Sequence, residues 1–139
     1  MSPLPDDVRD ILRGRTFAHL ATVLPDGSPH SVPVWIDVRD DDRLVMFTQT
    51  TSRKARNLEG DARVALSAVD IDDPYHQCDL RGRVVERIDG EAVIEIVDDL
   101  ARKYTGDPFP WRSPQTVVYF IEVRTTHHVK LPFTHDAPG

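Results

Sequence analysis

Three cationic residues directly follow a serine where the chain leaves the third predicted strand. The cations are Arg53, Lys54 and Arg56, and Ser52 is the expected cap of a short helix that begins there. Free backbone N–H groups and the positive end of the helix dipole make such a terminus an anion site. Because cations in a first helical turn are unfavourable on their own, the cluster favours an offsetting phosphate group. The alternative is a solvated basic surface that pairs with neighbouring carboxylates.

Aromatic residues are placed to accompany such a site. Trp35 lies on the strand before the cationic segment and faces away from its valines, so a flat aromatic ligand has room along that strand. The alternative is a core tryptophan or a dimer contact. Tyr75 and His76 in one loop, and Phe109 and Trp111 in another, are candidates to close a pocket, or they pack only to pin their loops.

Other chemistries have no matching pattern. There is no G-x-S-x-G turn, no nucleotide-binding glycine loop and no cysteine with a matching histidine, which disfavours nucleophilic catalysis and a Rossmann cofactor site. The six histidines show no metal-ligand spacing, so we predict no metal site. His127 and His128 are adjacent and would point to opposite faces of a strand.

Composition restricts the class of protein. The chain has 139 residues, of which 40% are hydrophobic and 29% charged, and this predicts a single globular domain over residues 1–139. A net charge of −6 argues against nucleic acid or acidic lipid as a partner. We find no long apolar run and no leader-like start, and Cys78 is the single cysteine, so we expect a cytoplasmic protein that does not enter a membrane.

Hydrophobic periodicity and turn residues define the elements. A short helix should end at Gly14, and a long amphipathic helix should begin at Asp89-Gly90 and end at Gly106. Strands are predicted over residues 16–24, 30–38, 44–48, 63–69, 77–88, 116–124 and 127–131. Pro33 should mark an edge, a bulge or an opening of the sheet, and Gly82 should mark a bulge in a long strand. The pattern predicts an α+β domain, a small barrel of six to seven antiparallel strands with one long helix and several short ones.

The order of these parts resembles a known family. The resemblance rests on the Pro25-Asp26-Gly27 turn, on residues 28–35 and 52–58, and on Asp61-Ala62-Arg63-Val64, and it covers residues 8–131. The chain is similar to the pyridoxamine 5′-phosphate oxidase-like superfamily, and within it to the flavin/deazaflavin oxidoreductase B group. The resemblance implies a split β-barrel that forms a homodimer with a cofactor site at each subunit interface.

The resemblance also implies which residues hold the cofactor. The strand against the ring system would contribute His30, Ser31, Val32, Pro33, Val34 and Trp35. Phe47 and Thr48 would hold the middle of the cofactor, and Ser52, Arg53, Lys54 and Asn57 would bind its phosphate. The candidates for the partner chain's contribution are Tyr75, His76 and Trp111.

The implied activity is a hydride transfer. Similarity to the B group favours the deazaflavin coenzyme F420 over FMN, with the reduced cofactor acting on an electron-poor, unsaturated small molecule. Tyr75 and His76 are the catalytic candidates, as proton donors. Two alternatives stay open, an FMN-dependent oxidase of the pyridoxamine phosphate type and a non-catalytic protein that binds a flavin or deazaflavin.

Overall fold

The computed structural model describes residues 4–134, which form three α-helices and seven strands. The helices are α1 (Asp6–Arg13), α2 (Arg53–Gly60) and α3 (Val93–Thr105), and a 3-10 turn (Gly90–Ala92) precedes α3. The strands are β1 (Ala18–Val23), β2 (Pro29–Val34), β3 (Asp37–Val38), β4 (Leu44–Gln49), β5 (Arg63–Val69), β6 (His76–Ile88) and β7 (Thr116–Lys130). None of the helices within residues 4–134 is long and apolar enough to cross a membrane.

All seven strands belong to one antiparallel sheet with the order β2-β1-β5-β6-β7-β4-β3. The two edge strands, β2 and β3, follow each other in the chain and are separated by Trp35 and Ile36 alone. A two-residue link can span only about 10 Å, so the two edges of the sheet must come together. The sheet is therefore rolled into a split β-barrel, as predicted, and Trp35 lies at its seam.

The seam leaves the backbone of Ile36 outside the strand ladders, and α3 supplies its hydrogen-bond partners. The Ile36 N–H donates to the Tyr104 hydroxyl at 3.1 Å, and Lys103 Nζ donates to the Ile36 carbonyl at 2.5 Å. The Tyr104 hydroxyl donates in turn to the Thr16 carbonyl at 2.5 Å. Buried backbone groups need such partners, so the end of α3 holds the seam together.

Two apolar clusters form the core. One fills the barrel and includes side chains such as Leu20, Met46, Leu80 and Ile121. The other lies between α3 and the outer face of β4 and β7, where Val97 and Leu100 pack on that face. The predicted helix periodicity is confirmed, and α3 ends at Gly106, which adopts the left-handed conformation typical of a helix C-terminus.

Several local predictions are confirmed and two are wrong. Pro33 lies on an edge strand, and the register of β6 against β7 shifts at Gly82, where a bulge was expected. The predicted strand over residues 30–38 is interrupted at Trp35, because the chain crosses from one sheet edge to the other there. The two predicted strands at the end of the chain are one continuous strand, β7, since β6 pairs with it from Val118 to Lys130.

Candidate functional site

A pocket of about 330 Å³ opens on the outside of the barrel, where α3 ends and α2 begins. We call it the Trp35 pocket. Its walls are almost entirely apolar, and a single lysine is its only charged group among the described residues. The lining residues are Phe17, Pro33, Val34, Trp35, Phe47, Lys54 and Phe109. An apolar cleft with one cation suits a flat ring that carries an anionic group.

The indole of Trp35 is fixed by other aromatic rings. It stacks on the ring of Tyr104 with centroids 5.0 Å apart and planes inclined by 5°. Phe47 and Phe109 meet it edge-on, at centroid distances of 6.1 and 6.3 Å. Trp35 was expected either to pack in the core or to offer a surface to a flat ligand. The indole packs in an aromatic cluster and also lines the pocket, so both descriptions apply to it. A side chain held in this way can orient a ligand at little entropic cost.

Lys54 is the cation of the pocket, and its charge is not neutralised. Burial lowers the pKa of Lys54 below its ordinary value. Within residues 4–134 no carboxylate lies within 4.0 Å of the Lys54 ammonium group. A partly buried charge without a partner is costly, and a bound anion would offset that cost.

The other two cations also lack carboxylate partners in the described part of the chain. Arg53 is exposed, and Arg56 donates to the backbone carbonyl of Thr51 at 2.8 Å. The alternative reading of this segment required pairing with neighbouring acidic residues, and the structure contains no such pairs within residues 4–134.

Ser52 caps α2 as predicted, and Thr48 holds it in place. The Ser52 hydroxyl oxygen accepts from the Ala55 N–H at 3.2 Å, and the Thr48 hydroxyl donates to the same oxygen at 3.0 Å. Thr48 is buried inside the barrel, whereas its neighbour Phe47 points outward into the Trp35 pocket. The two hydroxyls therefore position the first turn of α2, and with it Lys54.

Seven of the twelve predicted cofactor-binding residues do not line the Trp35 pocket in this protomer. Thr48, Ser52 and Arg53 lie beside it at the start of α2, and the other four are farther along their elements. His30, Ser31 and Val32 are on the edge strand β2, before the pocket, and Ser31 is exposed. Asn57 is buried on the inner side of α2, where its Nδ2 donates to the Thr22 hydroxyl at 3.0 Å. This hydrogen bond joins α2 to β1, and a role of Asn57 in binding the phosphate stays a prediction.

The candidates for the partner's contribution also lie elsewhere in the protomer. Tyr75 packs on Phe133, and His76 faces His128 at the end of the barrel near α1. Trp111 is 70% exposed and lines a separate apolar cleft beside α3, and its ring also meets that of Phe109, a wall of the Trp35 pocket, at 5.3 Å. A contribution of Tyr75 and His76 to the Trp35 pocket needs a second protomer, and this stays a prediction, as does a contribution of the partner's Trp111.

Sequence reasoning missed two residues of this region. Tyr104 has the helical spacing of the core face of α3, but nothing in that spacing indicates that its ring supports Trp35. Phe17 contributes to the pocket from the segment before β1, and its ring lies 5.8 Å from that of Tyr104. An apolar residue directly before a strand is too common a pattern to indicate a pocket.

The fold and the pocket together define a split β-barrel of the pyridoxamine 5′-phosphate oxidase type. A family model described as pyridoxamine 5′-phosphate oxidase matches residues 4–130. The chain belongs to this family, whose members are oxidoreductases that bind flavin-type cofactors. No curated protein matches the chain significantly.

Solved structures agree with this assignment. A structure described as an F420 reductase is 25% identical, covers 89% of this chain and 98% of its own, and superposes with a TM-score of 0.78. A conserved hypothetical protein from Mycobacterium tuberculosis is also 25% identical, with coverages of 100% and 94% and a TM-score of 0.77. A protein of unknown function from Agrobacterium tumefaciens is 27% identical, with coverages of 92% and 59% and a TM-score of 0.71.

The residues of the Trp35 pocket are suited to a flavin-type group. Lys54 offers an unneutralised cation where a phosphate would lie, and the aromatic walls offer an apolar surface to the ring. Lys54 lies in the first turn of α2, where backbone N–H groups have no partner within the helix, and the Ser52 side chain accepts from one of them, that of Ala55. The donor set therefore matches an anionic tail joined to a flat ring.

Proposed function

We propose that this protein is an oxidoreductase that uses the deazaflavin coenzyme F420 to reduce an electron-poor, unsaturated small molecule. The observation that supports this most directly is Lys54, a partly buried cation with no carboxylate neighbour in the described residues, in the same pocket as Trp35. The similarity to a structure described as an F420 reductase favours the deazaflavin over FMN. The proposal includes a homodimer, a cytoplasmic location and membership of the flavin/deazaflavin oxidoreductase B group.

The proposed roles of the residues follow from their positions. Lys54 and the first turn of α2 bind the phosphate, and Arg53 adds a second cation from the solvent side. Trp35, held by Tyr104, orients the ring, while Phe47 and Phe109 exclude water from it. When bound and reduced, the cofactor supplies a hydride to the electron-poor double bond of the substrate.

Among the described residues, no side chain that lines the pocket is free to donate the proton that completes the reduction. Lys54 is the only titratable residue among the described residues that line it, and Lys54 is assigned to the phosphate. We therefore propose that solvent water delivers this proton. Tyr75 and His76 stay predicted catalytic residues for a dimer in which the partner brings them to the ring.

The test is a fluorescence titration of the purified protein with F420 and with FMN. We expect tighter binding of F420, and we expect Lys54→Ala to weaken it by about 1.5–3 kcal/mol, or about tenfold to 150-fold in Kd. Arg53→Ala should have a smaller effect, since Arg53 is exposed. Lys130→Ala is the matched control, because Lys130 is an exposed lysine at the far end of β7.

Activity distinguishes the competing functions. Reduced F420 bound to the enzyme should be reoxidised faster when an activated alkene is added. Turnover that is faster with FMN than with F420, and that needs no electron acceptor other than oxygen, would instead indicate an oxidase. Bound reduced cofactor that no added acceptor reoxidises would indicate a binding protein. Retention of affinity within twofold in both Lys54→Ala and Arg53→Ala would show that the phosphate site is wrongly assigned.

A further inference from the structure

Two imidazoles and one carboxylate meet at the end of the barrel that α1 covers. They belong to Asp7 in the first turn of α1, His76 at the start of β6 and His128 in β7. The Nε2 atoms of the two histidines are 2.7 Å apart. One ligand atom from each of the three residues lies within 4.8 Å of the other two. We call these three residues the histidine cluster.

The strand register brings the two histidines together. Cys78 lies opposite His128, and His76 lies opposite Lys130, so the two histidines are diagonal neighbours on one face of the β6–β7 ribbon. His127, the next residue in the chain, points to the other face, where its Nδ1 lies 3.2 Å from the Asp79 carboxylate. The helix α1 packs on the face that carries the cluster and brings Asp7 to it.

A carboxylate outside the cluster sets the orientation of His76. The Asp70 Oδ2 lies 3.2 Å from His76 Nδ1. An ionised carboxylate can only accept a hydrogen bond, so the proton of the neutral imidazole is on Nδ1 and the lone pair is on Nε2. This carboxylate–histidine arrangement is the one that commonly orients histidine ligands of metal ions. The free lone pair of His76 therefore points toward His128.

The second imidazole completes a donor set of two nitrogens and one oxygen. Without a metal ion, His128 Nε2–H can donate to His76 Nε2, and a cation bound to both lone pairs would take the place of that proton. In a tetrahedral zinc site the two nitrogens would be about 3.3 Å apart, so the rings need to separate by only about 0.6 Å. Imidazole and carboxylate ligands are those that zinc and similar divalent ions accept.

Ions can reach the cluster from solvent. The side chains of His76 and His128 are 13% and 25% exposed, and that of Asp7 is 65% exposed. The Asp7 Oδ2 lies 3.8 Å from His128 Nδ1, so Asp7 must turn to reach an ion held by the two Nε2 atoms, and its exposure leaves it free to do so. Water can fill the remaining coordination position, as in sites with three protein ligands.

We propose that Asp7, His76 and His128 bind one divalent transition-metal ion, with Asp70 as the residue that positions His76. The ion would connect α1 to β6 and β7 and would hold the helix on the end of the barrel. None of the three ligands lines the Trp35 pocket of the same protomer. A His76 that binds a metal ion through Nε2 cannot also donate the proton of the reduction, so this inference leaves that role to solvent water.

Zinc binding tests the proposal directly. Untagged, EDTA-treated protein is titrated with zinc in competition with a fluorescent zinc chelator, and we expect one zinc ion per chain. His128→Gln should weaken binding by more than about a hundredfold, and Asp70→Asn by about 10-fold to 100-fold. Asp7→Asn, an exposed change that cannot disturb the core, should weaken it by about tenfold or more.

Matched variants separate a site from general binding to surface histidines. His127→Gln removes the adjacent histidine on the opposite face, and Asp6→Asn removes the adjacent carboxylate of α1, and neither should change the Kd for zinc by more than twofold. Melting temperatures in EDTA should show that every variant is folded. Equal zinc affinity in His128→Gln and His127→Gln, unchanged affinity in Asp7→Asn, or no stoichiometric zinc in the wild type would overturn the proposal.

Discussion

The ring of Trp35 lies flat on the ring of Tyr104, with centroids 5.0 Å apart, at the two-residue link that joins the opposite edges of the sheet. One tyrosine thus has two functions. Its hydroxyl satisfies the backbone of the seam, and its ring supports the tryptophan that faces the pocket. Closure of the barrel and the shape of the candidate cofactor site therefore depend on the same side chain.

The hydroxyl of Tyr104 should contribute measurably to stability. Tyr104→Phe keeps the ring but leaves the buried Ile36 N–H without its acceptor, which should lower the free energy of unfolding by about 1–3 kcal/mol. Urea unfolding measures this change. Tyr104→Leu also removes the stacked ring and should cost more. A loss of less than about 0.5 kcal/mol in Tyr104→Phe would show that the hydroxyl does not hold the seam.

The two tryptophans make the position of the bound ring measurable. In Trp111→Phe, the intrinsic fluorescence comes from Trp35, and added cofactor should quench it. In Trp35→Phe the signal comes from Trp111, which is one ring farther from the pocket because it packs on Phe109, so quenching should be weaker than in Trp111→Phe. The affinity for the cofactor should fall by about 0.5–1.5 kcal/mol. Strong quenching in Trp35→Phe together with none in Trp111→Phe would place the ring at Trp111.

The charge of Lys54 should destabilise the protein when no cofactor is bound. Burial lowers the pKa of Lys54 below its ordinary value of 10.5, so the folded state loses this proton more readily than the unfolded state. The charge therefore lowers the free energy of unfolding at neutral pH. This loss is recovered as pH rises from the folded-state pKa of Lys54 toward 10.5, its ordinary value. Lys54→Met should therefore raise the melting temperature at pH 7 while it weakens cofactor binding.

The control for Lys54→Met is Lys130→Met, which should leave the melting temperature and the cofactor affinity nearly unchanged because Lys130 is exposed. The stability difference between wild type and Lys54→Met should narrow above the lowered pKa of Lys54. A less stable Lys54→Met at pH 7, or a difference that does not vary with pH, would contradict an unneutralised charge at this position.

Gly82 should not tolerate a side chain. A Cβ atom at Gly82 would lie 2.3 Å from the backbone oxygen of Glu122, in the bulged part of the β6–β7 pairing. Since backbone atoms cannot move aside locally, Gly82→Ala should lower the free energy of unfolding by about 1–3 kcal/mol or more. At Gly60 a Cβ meets nothing within 4 Å, so Gly60→Ala should be neutral or slightly stabilising in the same denaturation experiment. Equal stability of the two variants would contradict the close approach at Gly82.

Local patterns in the sequence predicted much of the fold. The strand over residues 63–69, the amphipathic α3 and the Ser52 cap all depend on neighbouring residues, and all three are present. The break at Trp35 could not be predicted in this way, because Val34, Ile36 and Val38 keep their buried alternation across the seam. Periodicity reports which side a residue faces, and it does not report which strand pairs with it.

The site was predictable to a similar extent. The charge of Lys54 and the aromatic character of Trp35 and Phe47 are local properties, and the structure brings these three side chains to one pocket. The support that Tyr104 gives to Trp35 depends on packing between distant segments. The histidine cluster is another such case, since Asp7 and His128 are far apart in the chain and no metal site was predicted.

A crystal structure of the protein grown with reduced or oxidised F420 would show where the coenzyme binds. We expect a phosphate group within hydrogen-bond distance of Lys54 Nζ and the ring system of the coenzyme against Trp35. Coenzyme bound at another surface, with the Lys54 ammonium group turned to solvent and the Trp35 pocket empty, would contradict this expectation.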